Sequence, residues 1–433
     1  MTKVKFIINW GEERKMNNMF KTYMGLPKAV YVLCSATLIN RLGDFVVPFL
    51  TLFLTVKLNM SIVLSGIIVT CASLISIPSS IIGGKISDSI GRKKVYLFGQ
   101  GLSAVFLILC GLCKNEHLII IMLFLSTFFN GIVRPAFSAM LIDYLPRERR
   151  QEGMSLNYLC INIGVSIGPI IAGFLFNKFL PLLFIGDGIT SLISVILVWR
   201  NIEEKYSEEV NEDFTNININ EAKEEGNIIQ VLLKRPQLLM FFALLLIYQF
   251  VYSQHRFTLP LTVNNALNNN GAKIFGYMMS INAVTVVFLT VFITAALKKY
   301  HHLICMVLSG IAFAIGFGML SFTHTMAGFF ISTFIWTLGE ILNSISIGVF
   351  VADNSPVNYR ARISAFQNII YWVASSLSTG LGGILVDRCG LNYIWLGIFI
   401  ISLIASGLMY LLKVYCVNGD SHLSENVIKN TAN

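Results

Sequence analysis

Seven ionisable side chains stand inside long apolar runs of this chain, where a charged group needs either a partner or a purpose. They are Arg41, Asp44, Arg134, Asp187, His255, Arg256 and Glu340. Carboxyl and imidazole groups can take up and release protons, and a guanidinium can balance a carboxylate or hold an anion. Proton exchange and the binding of charged solutes are therefore the chemistry that these residues favour.

Glu340 is the best candidate for a protonatable carboxyl in the second half of the chain. It follows Gly339 inside an apolar run. A carboxyl in such a place can bind a proton from one side of a membrane and release it to the other. The alternative is a structural role, in which Glu340 is hydrogen-bonded to Asn343 one helical turn later.

Arg41 and Asp44 are three residues apart and share a helix face. They either neutralise each other as an ion pair or leave Asp44 as a second proton or cation site. Arg134 has only the polar Asn130 one turn away. We interpret Arg134 as a cavity-facing cation that adjusts a nearby acid, with packing against a carbonyl or headgroup as the alternative.

The remaining three ionisable residues are less decisive. His255 and Arg256 precede Pro260, in a stretch where we expect the helix to be broken. They line either the outer half of a cavity or its external rim. Asp187 lies between two glycines, where helix packing and transport are equally reasonable roles.

These residues are positioned by segments long enough to cross a bilayer. Of 433 residues, 55% are hydrophobic and 13% are charged, against about 25% charged in soluble domains. A spanning helix needs roughly 20 apolar residues, and continuous apolar runs favour helices over a barrel. The sequence predicts an all-α integral membrane protein with twelve spans, at 29–56, 62–84, 95–113, 117–142, 154–177, 180–199, 238–263, 274–297, 303–323, 327–352, 363–386 and 393–412.

The spans divide into two pseudo-symmetric six-helix bundles, 29–199 and 237–413. An acidic linker at 200–236 joins them, and segments 1–28 and 414–433 flank them. Eleven lysines and arginines occupy one set of short loops, and five occupy the other. By the positive-inside rule, the richer set, the linker and both termini are predicted to be cytoplasmic. Segment 1–28 lacks the features of a signal peptide, and the net charge of +9 reflects topology rather than nucleic-acid binding.

An internal repeat supports this division. Asp143-x-x-Pro146-x-x-x-Arg150 recurs 210 residues later as Asp353-x-x-Pro356-x-x-x-Arg360, in each case at the end of an apolar run. The same shift relates Gly173 to Gly383. Parallel repeats of this kind place a solute path between the halves, near the midplane of the bilayer.

The loop Gly84-Lys-Ile-Ser-Asp88-Ser-Ile-Gly91-Arg92-Lys93-Lys94 resembles the signature loop of the major facilitator superfamily, with Ser89 where a basic residue is usual. We expect Gly84 to allow close helix packing and Gly91 to permit a tight turn. Asp88 can meet a helix N-terminus or a basic side chain. In the fold that this resemblance implies, Asp143 and Asp353 lie near Arg92 and Arg360 as gate residues.

Other segments resemble proton-coupled exporters of that superfamily. Gly164-Val-Ser-Ile-Gly168-Pro169-Ile-Ile-Ala-Gly173 is similar to a segment typical of its antiporter branches. Its small residues allow close helix packing, and Pro169 bends the helix. Segments of its drug exporters resemble Asn40-Arg41-Leu-Gly43-Asp44-Phe45-Val-Val-Pro48, Asn130-Gly131-Ile-Val-Arg134-Pro135 and Leu338-Gly339-Glu340.

The resemblance implies a secondary active transporter that exports lipophilic or cationic small molecules in exchange for protons, by alternating access. Proton coupling falls to Glu340, Asp44, Arg134 and Arg41. Aromatic rings bind amphipathic cations well, and the expected substrate-binding residues are Asn130, Phe45, Tyr248, Tyr252, Arg256, Tyr371 and Trp372. A proton-coupled symporter for sugars, organic acids or peptides remains the alternative.

Other classes of function fit the sequence less well. It lacks the nucleotide-binding, zinc-protease and serine-hydrolase motifs, so we expect no catalytic residues, no metal and no cofactor beyond the proton gradient as energy source. A receptor on the same scaffold would not need intramembrane carboxyls. The expected partners are the lipid bilayer, protons and a small-molecule substrate, without nucleic acid, for a monomer in the cell membrane.

Overall fold

The computed structural model is helical throughout its regular structure and describes residues 23–146, 149–204, 228–267, 270–297, 300–356 and 359–431. Within these ranges, twelve helices are long and apolar enough to cross a membrane. This confirms the predicted all-α class and the number of spans. A helix pairs its own backbone groups, which is what a bilayer demands of an apolar segment.

The first half begins with a span in two pieces, α1 (Lys28–Leu42) and α2 (Val46–Leu52), the latter extended by a π-helical turn, Phe53–Lys57. Five continuous helices follow: α3 (Ile62–Ile90), α4 (Arg92–Leu112), α5 (Glu116–Asp143), α6 (Arg150–Lys178) and α7 (Leu180–Asn201).

The second half begins with a short helix, α8 (Ile228–Leu233). The spans that follow are α9 (Pro236–Leu267), α10 (Gly271–Leu297), α11 (His302–Gly318), α12 (Met326–Asn354), α13 (Arg360–Cys389) and α14 (Leu391–Thr431). α14 continues through most of the predicted tail, 414–433. Most of the predicted linker, and residues 1–22 of the predicted N-terminal segment, lie outside the described residues.

Contacts group the chain into two compact units that do not follow the predicted bundle boundary. The first unit comprises Met1–Asp44, Pro78–Gly168 and Pro181–Glu209. The second comprises Phe45–Ile77, Pro169–Leu180 and Val210–Asn433. Parts of α3 and α6, and all of α2, therefore pack with helices of the second half.

Polar side chains connect the helices of the first unit inside an apolar core. Tyr96 of α4 and Ser194 of α7 share a hydrogen bond of 2.5 Å between their hydroxyls. Gln100 Nε2 donates to Ser191 Oγ at 3.0 Å, and so does Asn40 Nδ2, at 2.9 Å. These bonds link α1, α4 and α7 and hold the end of α1 in place.

Two glycines of the signature-like loop behave differently from each other. Gly91 has φ +105°, a backbone region that favours glycine, and it precedes α4. A Cβ at Gly84 would meet no atom of the described residues within 4 Å, so the expected close packing at Gly84 is wrong. The close approach occurs at Gly83, where a Cβ would lie 2.6 Å from Ile132 Cα of α5.

The expected break near Pro260 is also wrong. α9 runs without interruption from Pro236 to Leu267, with Pro260 inside it. Pro260 has no N–H for the carbonyl of Arg256, four residues earlier, and Thr51 Oγ1 of the span before α3 donates to that carbonyl at 3.2 Å. Hydroxyl groups of this kind can satisfy backbone groups around a proline and let a spanning helix continue through it.

Candidate functional site

A carboxyl held by side chains from two neighbouring helices lies in the second unit. Glu340 of α12 accepts a hydrogen bond of 2.7 Å at Oε1 from the Tyr252 hydroxyl of α9. At Oε2 it accepts one of 2.6 Å from Asn282 Nδ2 of α10. The same amide nitrogen lies 3.0 Å from Thr337 Oγ1, one turn before Glu340. Three helices therefore meet at one partly buried carboxyl group.

A basic pair stands beside this carboxyl on α9. His255 is 7% exposed, and its Nδ1 lies 2.6 Å from the Tyr252 carbonyl oxygen. Arg256 Nε donates to His255 Nε2 at 3.3 Å, and the guanidinium interacts electrostatically with Glu340. The carboxyl thus has hydrogen-bond donors at both oxygens and a cation close by.

Aromatic rings enclose the same site. The imidazole of His255 stacks on Trp336 with ring centroids 5.6 Å apart and an interplanar angle of 21°. Tyr252 lies 5.9 Å from Phe313 and 6.2 Å from Trp336, centroid to centroid. Trp336 is fully buried, and its Nε1 has no hydrogen-bond partner among the described residues. The rings keep the carboxyl in apolar surroundings on this side.

Chemically, this arrangement couples a proton to helix positions. An ionised carboxylate only accepts hydrogen bonds, and both oxygens of Glu340 receive donors here. Protonation would place an O–H donor on one of these oxygens. The Tyr252 hydroxyl can reverse its role and accept from that donor, whereas the Asn282 amide nitrogen can only donate. Proton binding at Oε2 would therefore loosen the link to Asn282 of α10, and at Oε1 it would reverse the direction of the bond to Tyr252 of α9.

Other predicted residues of the second unit are placed around α9 and α13. Arg256 is exposed, and Tyr371 and Trp372 are half-buried on α13. Gln367 donates to the Tyr371 hydroxyl at 2.9 Å. Tyr248 and Phe45 are buried, and the Tyr248 hydroxyl donates to the Met306 carbonyl at 2.8 Å. Tyr248 thus occupies a packing position between α9 and α11.

The first unit holds the second group of predicted coupling residues. Arg41 Nη1 lies 2.8 Å from Asp44 Oδ2, across the break between α1 and α2. The two side chains are 36% and 22% exposed. The ion pair that we predicted as one alternative is therefore formed. Arg134 is exposed on α5, with the half-buried Asn130 one turn before it.

The glycines of the antiporter-like segment lie in two places. Gly164 and Gly168 of α6 face the end of α1, where a Cβ on Gly168 would lie 3.0 Å from the Arg41 carbonyl oxygen. Gly173 faces the start of α10, with a Cβ 3.0 Å from the Ala272 carbonyl oxygen. Pro169 lies inside α6, between them.

Of the predicted gate residues, one pair is formed. Arg92 Nη1 makes an ion pair with Asp143 Oδ2, and Arg92 also donates to the Ala139 carbonyl at 3.2 Å. The pair links the start of α4 to the end of α5. Asp353 is exposed, whereas the side chains of Asp88 and Arg360 lie outside the described part of the structure.

The repeat-related helix end in the second unit is held differently. Arg235 Nη1 donates to the Asn354 carbonyl at 2.9 Å, and Gln237 Nε2 donates to Asn354 Oδ1 at 3.3 Å. The start of α9 therefore fixes the end of α12, the counterpart of the α4–α5 pair.

α3 and α13 meet within the second unit. Thr70 Oγ1 and Thr379 Oγ1 are 2.8 Å apart, and Thr70 Oγ1 also donates to the Ser376 carbonyl at 3.2 Å. Gly66 makes this approach close, because a Cβ there would lie 2.8 Å from the Thr379 carbonyl oxygen. A helix of the first half thus closes directly on a helix of the second half.

Among the residues of the Glu340 site that sequence reasoning missed are Asn282 and Trp336. Asn282 is the only asparagine in its span, and that isolation was an available signal. Trp336 gave none, because a tryptophan in an apolar run is ordinarily a packing residue. The suggested partner of Glu340, Asn343, has its Oδ1 buried with no hydrogen-bond partner among the described residues.

Twelve helices able to cross a membrane define a multi-pass membrane protein. The chain belongs to the Major Facilitator Superfamily, whose family model matches residues 33–379. Members of that family are transporters rather than enzymes. No group of three or more histidine, cysteine, aspartate or glutamate side chains among the described residues could hold a metal ion.

Several relatives carry names that bear on the chemistry. An uncharacterised MFS-type transporter of Bacillus subtilis is 24% identical over 74% of this chain and 78% of its own length. A Na(+), Li(+), K(+)/H(+) antiporter of Planococcus maritimus is 22% identical, over 77% and 83%. A homologue of the multidrug resistance efflux pump PmrA from Lactococcus lactis is 24% identical, over 32% and 35%.

Solved structures support the fold. A POT family transporter in complex with a thioalcohol-conjugated peptide superposes with a TM-score of 0.75 at 14% sequence identity. The match covers 91% of this chain and 97% of that one. At this identity the likeness establishes the major facilitator fold and does not extend to the peptide.

Proposed function

We propose that this transporter exchanges protons for lipophilic or cationic small molecules and exports them, using the proton gradient as its energy source. The observation that carries this proposal is the Glu340 carboxyl, held by Tyr252 of α9 and Asn282 of α10. A carboxyl whose hydrogen bonds join three helices can convert proton binding into a change of helix packing. Alternating access needs that conversion.

The nature of the cargo is inferred from the surroundings of the carboxyl. The half-buried Tyr252, which bonds to the carboxyl, presents an aromatic face beside it. Such faces attract cations, and an ionised carboxylate pairs with them. A cation and a proton would then compete for the same group, which is the simplest physical basis for exchange. The names of the antiporter and efflux-pump relatives support the proposal of proton exchange.

The proposal is tested in inside-out vesicles under an imposed pH gradient. Lipophilic cations such as tetraphenylphosphonium, and separately Na⁺, Li⁺ and K⁺, are added to wild type and to Glu340→Gln. We expect one of these cation classes to collapse the gradient in wild type and to leave it unchanged in the variant. Glu116→Gln removes an exposed carboxyl at the start of α5 and should behave as wild type.

The other outcomes are equally informative. If no cation moves protons, the export proposal fails, and sugars, organic acids and peptides should be tested for proton symport. If wild type and Glu340→Gln respond alike, exchange stands but the coupling group is elsewhere. Asp44, whose carboxylate pairs with Arg41 at the break between α1 and α2, would be examined next as Asp44→Asn.

The same proposal includes a location and an orientation. The excess of lysine and arginine in one set of loops favours the cell membrane with both termini and the linker in the cytoplasm. A reporter enzyme that works only in the cytoplasm is fused after residue 433 or inserted in the linker at residue 215. We expect both fusions to be active. If either site is active with a reporter that works only outside the cytoplasm, the predicted orientation is wrong.

A further inference from the structure

An apolar groove lies between α6, α10 and α12 in the second unit. It is open on one side and has a volume of about 400 Å³, within the size range of small-molecule sites, about 300–1,000 Å³. Its lining includes Ile170, Tyr277, Ile281, Val284, Met326 and Phe330. Val284 and Met326 are each 44% exposed, so the groove faces the medium around the spans. For spanning helices that medium is the hydrocarbon of the bilayer.

A lysine stands at one end of this groove. The Lys273 ammonium lies 4.8 Å from the ring centroid of Phe174 and 5.9 Å from that of Tyr277. The two rings meet edge to face, 6.3 Å apart. Tyr277 also lines the groove, so the charged group and the apolar surface share a residue. Lysines and aromatic side chains at span ends occupy the headgroup level of a bilayer.

The groove leads from this charged end into the membrane. Along α10, Ile281 follows Lys273 by two turns and Val284 by three. At a rise of 1.5 Å per residue, Val284 lies roughly 16 Å deeper. A positive end and a long apolar channel together match an amphiphile with an anionic head.

We propose that this groove binds a membrane phospholipid with a net negative headgroup. Its phosphate pairs with Lys273 between Phe174 and Tyr277. One acyl chain lies along Tyr277, Ile281 and Val284 and contacts Met326 and Phe330 of α12. A zwitterionic lipid offers the same chain but no net charge, so Lys273 selects the anionic one. The site is separate from the Glu340 carboxyl and does not depend on what is transported.

The test is a competition between lipids, read by native mass spectrometry of the purified full chain. Phosphatidylglycerol and phosphatidylcholine with identical acyl chains are supplied in equal amounts. We expect wild type to retain phosphatidylglycerol in excess. Lys273→Gln should reduce that excess about fivefold, which corresponds to about 1 kcal/mol for one lysine near a membrane surface. Lys273→Arg should retain it.

A second variant tests the groove itself. Val284→Trp fills the channel and leaves Lys273 in place, so bound phosphatidylglycerol should fall to the level of Lys273→Gln. Lys178→Gln removes an exposed lysine at the end of α6 and should change nothing. Unchanged helical circular dichroism in each variant excludes misfolding as the cause.

Three results would overturn the proposal. Equal retention of both lipids by wild type would remove the selection by charge. If Lys273→Gln loses bound phosphatidylglycerol but Val284→Trp does not, the lysine attracts the headgroup at the surface and no acyl chain lies in the groove. Displacement of the lipid by a lipophilic cation, unaffected by Lys273→Gln, would make the groove a cargo site instead.

Discussion

At the scale of single residues, the hydrogen-bond donors around the Glu340 carboxyl stabilise its ionised form. Hydrogen bonds to an ionised group contribute about 1.5–3 kcal/mol each, more than bonds between neutral groups. Tyr252 and Asn282 each direct one donor at a different oxygen. These two donors favour the ionised form, and a proton on Oε2 would oppose the donor from Asn282 of α10.

Removing the Tyr252 hydroxyl tests this account. We expect Tyr252→Phe to lower the rate of proton-coupled transport about tenfold, because about 1.4 kcal/mol of carboxylate stabilisation is lost. The matched control is Tyr248→Phe, one turn earlier on α9, whose hydroxyl serves the Met306 carbonyl instead. It should lower the temperature of thermal unfolding and leave the rate of proton-coupled transport unchanged. An equal loss of transport rate in Tyr252→Phe and Tyr248→Phe would contradict the role of Tyr252.

Sequence reasoning reached part of this site. Glu340 is predictable because a charged group in an apolar run is costly. The sequence points to Tyr252 as well, but as a residue that binds substrate. The sequence does not point to Asn282, because burying an amide in an apolar span costs less free energy than burying a charge. Which residue of α10 faces α12 depends on helix rotation, and composition does not encode that rotation.

The ion pair between Arg92 and Asp143 is the second residue-scale feature. The side chains are 18% and 13% exposed, so removing one partner leaves a largely buried charge. We expect Asp143→Asn to shift the balance between transport conformations while substrate binding persists. Maleimide labelling of an introduced Asn130→Cys reports the shift, with a change of about fivefold or more for a coupling of about 1 kcal/mol.

The control for the ion pair is Asp387→Asn, which removes an exposed carboxyl on α13. With Asn130→Cys introduced, this variant should react with maleimide at the same rate as the protein that keeps Asp387. A labelling rate in Asp143→Asn equal to that of wild type would show that the pair is a static link between α4 and α5.

At the scale of elements, the break between α1 and α2 depends on its neighbours. Gly164 and Gly168 allow α6 to lie against the backbone of Arg41 and Leu42. On the other side, a Cβ at Gly43 would lie 2.6 Å from Thr190 Cβ of α7. The G-x-x-x-G-P pattern indicated close packing in advance. The sequence does not indicate that this contact is with the end of α1, because it predicts a continuous helix over 29–56 with no break at Gly43.

Gly164→Ala tests that packing. Its Cβ would meet the Arg41 side chain and lie 3.0 Å from the Leu42 nitrogen. We expect a loss of about 1–3 kcal/mol, typical of overpacking, seen as a lower unfolding temperature in detergent. Gly101→Ala on α4 is the matched control, because its Cβ would meet no atom of the described residues within 4 Å. There the gain in helix propensity should leave the unfolding temperature equal or higher.

At the scale of the whole molecule, the sequence repeat and the observed contacts carry different information. The repeat indicated two related halves, and it did so from Asp143 and Asp353, which lie at equivalent helix ends. The compact units instead group Phe45–Ile77 and Pro169–Leu180 with the second half. A repeat reports common descent of the halves, whereas contacts report the conformation that the molecule occupies. Only the second changes during a transport cycle.

The contact between α3 and α13 should open during that cycle. Thr70 Oγ1 and Thr379 Oγ1 are 2.8 Å apart, a separation at which two cysteine side chains can reach each other. In the double variant Thr70→Cys, Thr379→Cys, oxidation should form a disulfide and stop transport in proportion to the fraction of cross-linked protein. Reduction should restore transport, and the two single variants should be insensitive to oxidant. Full transport by quantitatively cross-linked protein would mean that α3 and α13 stay together throughout, and that the molecule exposes its site by moving other helices.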